Sequence, residues 1–513
     1  MSIRIQIGQD TLEVPVKDGC TLLDLLREQK GVSFSAPCGG KGKCGKCTVQ
    51  LGDGRTVLAC QTPAEDGMTV LVPQQHKQHV MLQGASAKVK PDEGLEGYGI
   101  ACDIGTTTVV CHLMDLKRGI RLATAGEGNR QQVFGADVIS RIRAAEEGHL
   151  EELAGLIRGQ LSDMIQAVRQ QAVIQPDEIR SMAVAANTTM CHLLTGLDPS
   201  GIGRAPFQPK SYFGTEVPSQ TLNLPFDGPV YLSPAVSGYV GGDITSDLAA
   251  VEIRRQQKPV LLIDVGTNGE MVLGCGDKLL CCSTAAGPAF EGAQIRFGMT
   301  AKAGAIHSVE YRDGQVVCSV LGDGEAVGIC GSGLIDAIAV MLDLGALDET
   351  GRILDPEEDD DIPDAALPWL FLDENEDPAF RLTEQVWVTQ SDVRKVQLGK
   401  GAIAAGEQVL INAYGVRYDE IGTLYLAGGF GSYIRPASAA RIGMIPQELL
   451  PVTAAAGNTA AEGACMALLS AQVRSELEKL HTQMQYIELS GKEEFNQAYM
   501  EAMMFPYDDE TKL

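Results

Sequence analysis

The sequence predicts an α/β protein in which a small α+β N-terminal unit and a polar linker precede a large body of alternating strands and helices. Three observations carry this. Four of the fourteen cysteines fall within residues 38–60, among glycines. Beyond residue 98, apolar strand-like runs alternate with helical patterns, as in α/β folds. One strand–turn–strand pattern occurs twice, its leading aspartates Asp103 and Asp264 lying 161 residues apart. At 513 residues the chain is too long for one core. The expected divisions are 1–73, a linker at 74–98, a first α/β part at 99–185 and a second at 186–513.

The formal net charge of −26 argues against nucleic acid as a partner, and no cluster of Lys and Arg interrupts it. The densest charge run, Glu357 to Asp361 between Pro356 and Pro363, is expected to be a solvated acidic loop. No apolar run reaches the ~18 residues of a transmembrane helix. The N-terminus alternates like a strand and lacks the basic start and apolar core of a signal peptide, so no membrane and a cytoplasmic location are expected.

Within the first unit, Ile3, Ile5 and Ile7 alternate with polar residues, a turn is expected at Gly8 to Asp10, and Leu12, Val14 and Val16 alternate again. A short helix over residues 20–27 is expected to open near Asp18. Then comes the glycine-crowded loop Cys38-Gly-Gly-Lys-Gly-Lys-Cys44-Gly-Lys-Cys47. Val49 and Leu51 resume the strand pattern, Asp53 and Gly54 make a turn, and Val57 to Cys60 form a return strand.

The glycines have a chemical reason. A [2Fe–2S] cluster is negatively charged and its sulfides accept hydrogen bonds from backbone N–H groups, so the wrapping chain needs close approach and positive φ angles. Cys38, Cys44, Cys47 and Cys60 supply four thiolates, with Lys41, Lys43 and Lys46 offsetting charge. The spacing C-x5-C-x2-C-x12-C is one residue longer than the plant-type pattern in its first gap. A zinc site usually pairs two C-x2-C units and only one is present; a disulfide framework conflicts with size and compartment. The other ten cysteines, Cys102, Cys111 and Cys191 among them, are expected to be buried small hydrophobes.

In the body, Gly99 to Val110 and Pro259 to Leu273 each read as an apolar strand ending in Asp, a Gly/Thr turn and a second strand. Such an Asp can hold Mg²⁺ through water, while the turn's N–H and hydroxyl groups bind phosphate oxygens. The duplication strengthens a signal that one copy would carry weakly. A third strand, Ile421 to Ala427, ends in Gly428-Gly429, where backbone can lie against an adenine or ribose without a Cβ clash. No Walker motif occurs, and no G-x-G-x-x-G stands in a convincing Rossmann setting.

These three motifs, in this order, resemble the actin-like ATPase superfamily of sugar kinases, acetate kinase and Hsp70 chaperones, whose two ribonuclease-H-like halves close on ATP. The resemblance implies that Asp103, Gly105, Thr106 and Thr107 form the first phosphate loop. It assigns Asp264, Gly266, Thr267 and Asn268 to the second, and Gly428 and Gly429 to the adenosine motif. Asp243, in Gly241-Gly242-Asp243, would be a catalytic acid on a connecting helix.

With a β-grasp ferredoxin-like unit in front, the chain resembles the reductive activators of corrinoid proteins, including the activating enzymes of O-demethylase systems. The resemblance spans nearly the whole chain. It rests on Gln132-x-x-Gly135-Ala-Asp137-Val-Ile-Ser-Arg141-Ile, on Ala186-Asn187-Thr-Thr-Met190-Cys-His192, and on Gly287-Pro-Ala-Phe290-Glu291-Gly. Gly328-Ile-Cys330-Gly331-Ser332-Gly333-Leu-Ile-Asp336 and the closing Phe495 to Phe505-Pro extend it. It implies an ATP-dependent activase that passes one electron from the cluster to Co(II) in the corrinoid protein of a methyltransferase system. It also implies Mg²⁺, a low-potential electron donor and a homodimer. Two other readings remain: an activator of the 2-hydroxyacyl-CoA dehydratase type, and a redox-regulated small-molecule kinase.

Overall fold

The computed structural model describes residues 2–7, 10–17, 19–27, 29, 36, 39–42, 47–72, 89–431 and 433–506. The N-terminal unit is built from β1 (Ser2–Ile7), β2 (Asp10–Pro15), α1 (Leu22–Arg27), β3 (Thr48–Leu51), β4 (Thr56–Leu58) and β5 (Thr69–Val72). Its sheet order is β2-β1-β5-β3-β4, with β1 and β5 parallel. The period of two in β1 buries Ile3 and Ile5 beneath Leu22, Leu23, Leu25 and Leu26 of α1. The helix starts at Leu22, later than the sequence implies, because Thr21 and Asp24 close a reciprocal cap: Thr21 N–H donates to Asp24 Oδ2 at 2.9 Å and Asp24 N–H to Thr21 Oγ1 at 3.3 Å. The return strand ends at Leu58, and Cys60 sits on a single 3₁₀ turn over Ala59–Gln61. The expected turn residues Gly8 and Gln9, the Asp18 helix start and most of the expected linker lie outside the described residues. The end of that linker is fixed: Asp92 N–H donates to Leu469 O at 3.0 Å, and Asp92 Oδ2 accepts from Ala471 N–H at 2.7 Å.

The first half of the body comprises β6 (Tyr98–Ile104), β7 (Thr108–Asp115), β8 (Ile120–Gly128), α2 (Val138–Ala144), α3 (Leu150–Ala172), β9 (Ile179–Ala186), α4 (Thr188–Thr195), β10 (Thr215–Pro218), β11 (Pro229–Leu232) and α5 (Gly242–Ala250). Its sheet runs β10-β11-β9-β6-β7-β8, and so continues to Leu232, past the division expected at 185/186. The strands that complete the sheet return only after α4, which sequence proximity does not reveal.

The second half repeats the plan. It has β12 (Val260–Val265), β13 (Gly269–Cys275), β14 (Lys278–Thr284), β15 (Ala305–Arg312), β16 (Gln315–Val320), β17 (Gly328–Ile329), α6 (Gly331–Leu344), β18 (Leu370–Leu372), β19 (Pro378–Arg381), β20 (Trp387–Thr389) and α7 (Gln390–Tyr414). It ends with β21 (Thr423–Ala427), α8 (Gly428–Gly431), α9 (Pro436–Arg441), β22 (Thr453–Gly457), α10 (Thr459–Leu469), α11 (Ala471–Gln483), β23 (Met484–Tyr486) and α12 (Glu493–Ala502). Its main sheet is β22-β21-β12-β13-β14-β23. In both sheets an antiparallel meander of three strands adjoins strands parallel to its first member.

α5 and α10 are sandwiched between the two sheets in a core of their own, with Ala101, Ala183, Val260 and Leu262. Small residues permit this: a Cβ on Gly463 would lie 2.1 Å from Ser246 O. A second core joins the N-terminal unit to the outer face of the first sheet, and a third lies under α6 and α7. No helix among the described residues is long and apolar enough to cross a membrane. Of the acidic run, Glu357, Glu358, Asp360 and Asp361 are exposed, and Asp359 pairs with Arg352.

One expectation fails outright. Cys102 and Cys111 are not separate buried thiols but a disulfide, with Cα atoms 4.4 Å apart. The antiparallel register of β6 and β7 places them directly opposite each other, which their spacing alone does not announce. Met504 is 45 % exposed, whereas Phe505 beside it is buried.

Candidate functional site

The two Asp-Gly-Thr hairpins face each other across the cleft between the halves. Asp103 and Asp264 each lie near the end of a central strand, and each turn is closed by its glycine: Gly105 N–H donates to Thr108 O and Gly266 N–H to Asn268 O, both at 2.9 Å. The adenosine-type strand β21 runs parallel to β12, pairing Ala427 with Asp264. Gly428 then turns at φ +93, where a Cβ would come 2.4 Å from Asp264 Oδ1. A cavity of about 840 Å³ gathers Asp103, Gly105, Thr106 and Thr107 from the first hairpin and Asp264, Gly266, Thr267 and Asn268 from the second. Asp243, Gly428 and Gly429 line the same cavity. Lys302, Tyr433 and the start of α6 at Gly331 and Ser332 also line it.

The cleft floor is a nest of buried acids. Asp243 stands in the first turn of α5, and Asp247 one turn further along. Burial raises Asp103 to about 7, helped by the Asp264 charge and opposed by Asn458, whose Nδ2 donates to Asp103 Oδ2 at 2.8 Å. Burial, then Asp264 and Asp103, push Asp243 to about 8. Asp247, Asp264 and Glu270 are raised as well, burial first in each case. Asp247 Oδ1 accepts from Thr459 Oγ1 at 2.6 Å, and the Asp247 and Asp264 carboxyls share a hydrogen bond that raises the first and lowers the second. Buried carboxylates crowded in this way form an all-oxygen donor set suited to a hard divalent cation such as Mg²⁺.

Several side chains that support the hairpins carry no motif of their own. Arg141 is fully buried and spends its guanidinium on backbone: Nη2 donates to Thr106 O at 2.5 Å and Nε to Gly135 O at 3.1 Å. Burial lowers it to about 9, against the charges of Asp137 and Glu291. Asn187 caps α4 with its Oδ1 and donates from Nδ2 to Thr106 Oγ1 at 3.1 Å. Asn129 donates to Gly105 O at 2.9 Å. Glu291 Oε2 accepts from both Thr107 Oγ1 and Thr267 Oγ1, each at 2.7 Å. Sequence reasoning marked Arg141, Asn187 and Glu291 only as parts of resembling stretches, and missed Asp247, Glu270, Asn129 and Asn458. Their roles depend on strands and helices far apart in the chain.

Of the four cluster cysteines, Cys38 and Cys44 lie outside the described residues, as do Lys43 and Lys46. Cys47 and Cys60 bring their Sγ atoms to 3.2 Å. Gly39, Gly40 and Gly42 adopt φ of +65, +90 and +72 beside them, and a Cβ on Gly40 would press on Leu23 at 3.0 Å. Converging thiols beside glycines in left-handed geometry fit an iron–sulfur cluster. The loop leans on the first half of the body. Arg27 donates from Nε and Nη2 to Val133 O at 2.9 and 2.7 Å and covers the Phe134 ring at 4.9 Å.

Three family models match the chain. Residues 5–68 match the 2Fe-2S iron-sulfur cluster binding domain, 98–256 the RACo middle region, and 258–513 the C-terminal domain of RACo, the ASKHA domain. The chain is 31 % identical to the corrinoid activation enzyme RamQ of Eubacterium limosum, over 98 % of this chain and 97 % of that one. It is 26 % identical to the [Co(II) methylated amine-specific corrinoid protein] reductase of Methanosarcina barkeri, over 68 % and 66 %. A solved reductive activator for a corrinoid, iron–sulfur protein superposes with a TM-score of 0.74 at 28 % identity, covering 99 % of both chains.

Proposed function

Because the chain belongs to the RACo family, with a 2Fe-2S domain in front of the RACo middle and ASKHA regions, we propose that it reactivates a corrinoid methyl-transfer protein, using ATP to reduce Co(II) to Co(I) by one electron. The observation that carries this reading is the identity to a corrinoid activation enzyme over nearly the full length of both chains. The two-part architecture gives it a physical reason. Plant-type [2Fe–2S] ferredoxins lie near about −400 mV, and each ~59 mV uphill costs about 1.4 kcal/mol for one electron. A nucleotide-driven step offsets several such increments.

The residue roles follow from the chemistry of each group. Cys47 and Cys60, with Cys38 and Cys44, hold the cluster, which when bound supplies a low-potential one-electron carrier. Asp103, Asp264 and Asp243 would hold a Mg²⁺, which would neutralise charge on the ATP phosphates; their burial together in the cleft supports this assignment. The Thr106 and Asn268 side chains and the N–H groups of both turns, those of Thr107 and Thr267 included, orient the phosphates. Gly428 and Gly429 admit the nucleoside by leaving the turn without side chains. The division between the halves is put between Leu232 and Val260. A low-potential cellular electron donor, a homodimer and a cytoplasmic location complete the reading.

The test uses purified protein, a chemical reductant and a Co(II) corrinoid protein, followed through the Co(I) absorbance band with and without Mg²⁺ and ATP. Co(I) should accumulate only when both are present. Equal accumulation without ATP would overturn the energy coupling.

A further inference from the structure

The two hydroxyls best placed to receive a γ-phosphate do not point at empty space: they converge on one carboxylate oxygen. Thr107, from the first hairpin, and Thr267, from the second, both donate to Glu291 Oε2 at 2.7 Å. Glu291 closes a single 3₁₀ turn, Pro288–Glu291, that follows β14. The turn is fixed at both ends. Gly287 N–H donates to Thr267 O at 2.9 Å, and Gly292 sits at φ +77, where a Cβ would strike Met299 N at 2.7 Å. Phe290, wholly buried, anchors it to the core.

Glu291 lines the same cavity as the acid nest yet stands apart from it. Asp103, Asp243, Asp247 and Glu270 are raised by burial and by members of their own group, and Asp264 by burial against a hydrogen bond with Asp247. Glu291 takes its hydrogen bonds from the hairpin threonines instead. Its own shift is upward through burial, opposed by the two threonines and by Arg141. It stands at the two hairpins.

We propose that Glu291 is the general base of ATP hydrolysis, its carboxylate oriented by Thr107 and Thr267 so that it takes a proton from the attacking water. Among the described residues no other acid accepts a hydrogen bond from the threonines of both hairpins. The water oxygen bonds to the γ-phosphorus, and the bond from that phosphorus to the β–γ bridging oxygen breaks with its electron pair left on ADP. The water proton passes to Glu291 and then to bulk water. This inference rests on the reading of the cleft as an ATPase site.

The experiment uses the full-length chain with its cluster, and E291Q and E291A variants. E291Q keeps an oxygen that accepts the threonine hydroxyls but is no base. It should bind ATP, measured with a fluorescent ATP analogue, within about threefold of the unmodified chain. Its hydrolysis should fall by roughly 10²–10⁴, and nucleotide recovered from it should be ATP rather than ADP. Added formate should restore hydrolysis to E291A in a saturable manner, which a misfolded or merely loosened variant would not show. Hydrolysis by E291Q within tenfold of the unmodified chain, loss of ATP affinity matching the loss of rate, or no formate rescue would each overturn the proposal. Failure of the unmodified chain to hydrolyse ATP even with a corrinoid protein present would instead strike the ATPase reading itself.

Discussion

Cys47 and Cys60 are thirteen positions apart in the chain, yet their Sγ atoms approach to 3.2 Å because β3 and β4 form a hairpin. Each therefore contributes to one side of the cluster cradle, and neither has a substitute close by in the described loop. A serine at either position offers a harder, more basic oxygen in place of a thiolate. Cys60→Ser is expected to lose most of the visible cluster absorbance and the EPR signal of the reduced cluster, while ATP affinity stays within about twofold. Normal cluster content in that variant would remove Cys60 from the ligand set. Spacing and glycine content pointed to the cysteine set, because that chemistry is local, and the structure brings Cys47 and Cys60 of it together. Glu291, Asp247 and Arg141 were not legible in the same way. Nothing about a single Glu or Arg in sequence says that folding will bury it against two hairpins.

One short segment, the 3₁₀ stretch Arg130–Phe134 with its cap Asn129, joins the first phosphate hairpin to the N-terminal unit. Asn129 N–H and Gln132 Nε2 donate to Thr107 O at 2.8 and 2.9 Å, so the segment is stitched to the first phosphate hairpin. At its other end Val133 O takes two hydrogen bonds from Arg27 of α1, whose side chain is only 15 % exposed. Hydrogen bonds to charged groups contribute about 1.5–3 kcal/mol when shielded from water. Arg27→Ala should therefore loosen the N-terminal unit from the body. The expected readout is an earlier, separate thermal transition for the cluster-bearing unit, followed by its visible absorbance, with the transition of the body unmoved. Arg27→Lys should fall between, because an ammonium cannot present the same planar fork. A single unchanged transition would show that the apolar contacts alone hold the unit. Sequence periodicity foresaw α1 and β1 to β4, but neither β5 in the middle of the sheet nor which face of the body the unit meets.

Across the whole molecule the acid nest sets the pH dependence of stability. Asp103 and Asp243 stand at about 7 and about 8 in the folded chain against 3.8 in the unfolded one. Between those values the folded state binds more protons than the unfolded, so stability falls as pH rises from about 4 through 8. Without divalent cations the chain should unfold at a lower temperature at pH 8 than at pH 5. Mg²⁺ should restore stability at pH 8 far more than at pH 5, where protons occupy the carboxylates. The net charge of −26 also favours the lower pH, so the control is Asp243→Asn, which should flatten part of the difference. An equal Mg²⁺ effect at both pH values would exclude the nest as the cation site. The order of elements, the cluster cysteines and the paired Asp-Gly-Thr hairpins were determined by the sequence, because each is written in local spacing, turn chemistry and strand period. Only the tertiary structure decided that β10 and β11 complete the first sheet, that Cys102 and Cys111 pair, and that Glu291 sits between the two hairpins. Those outcomes depend on register and on contacts between residues far apart in the chain, and no local pattern encodes them.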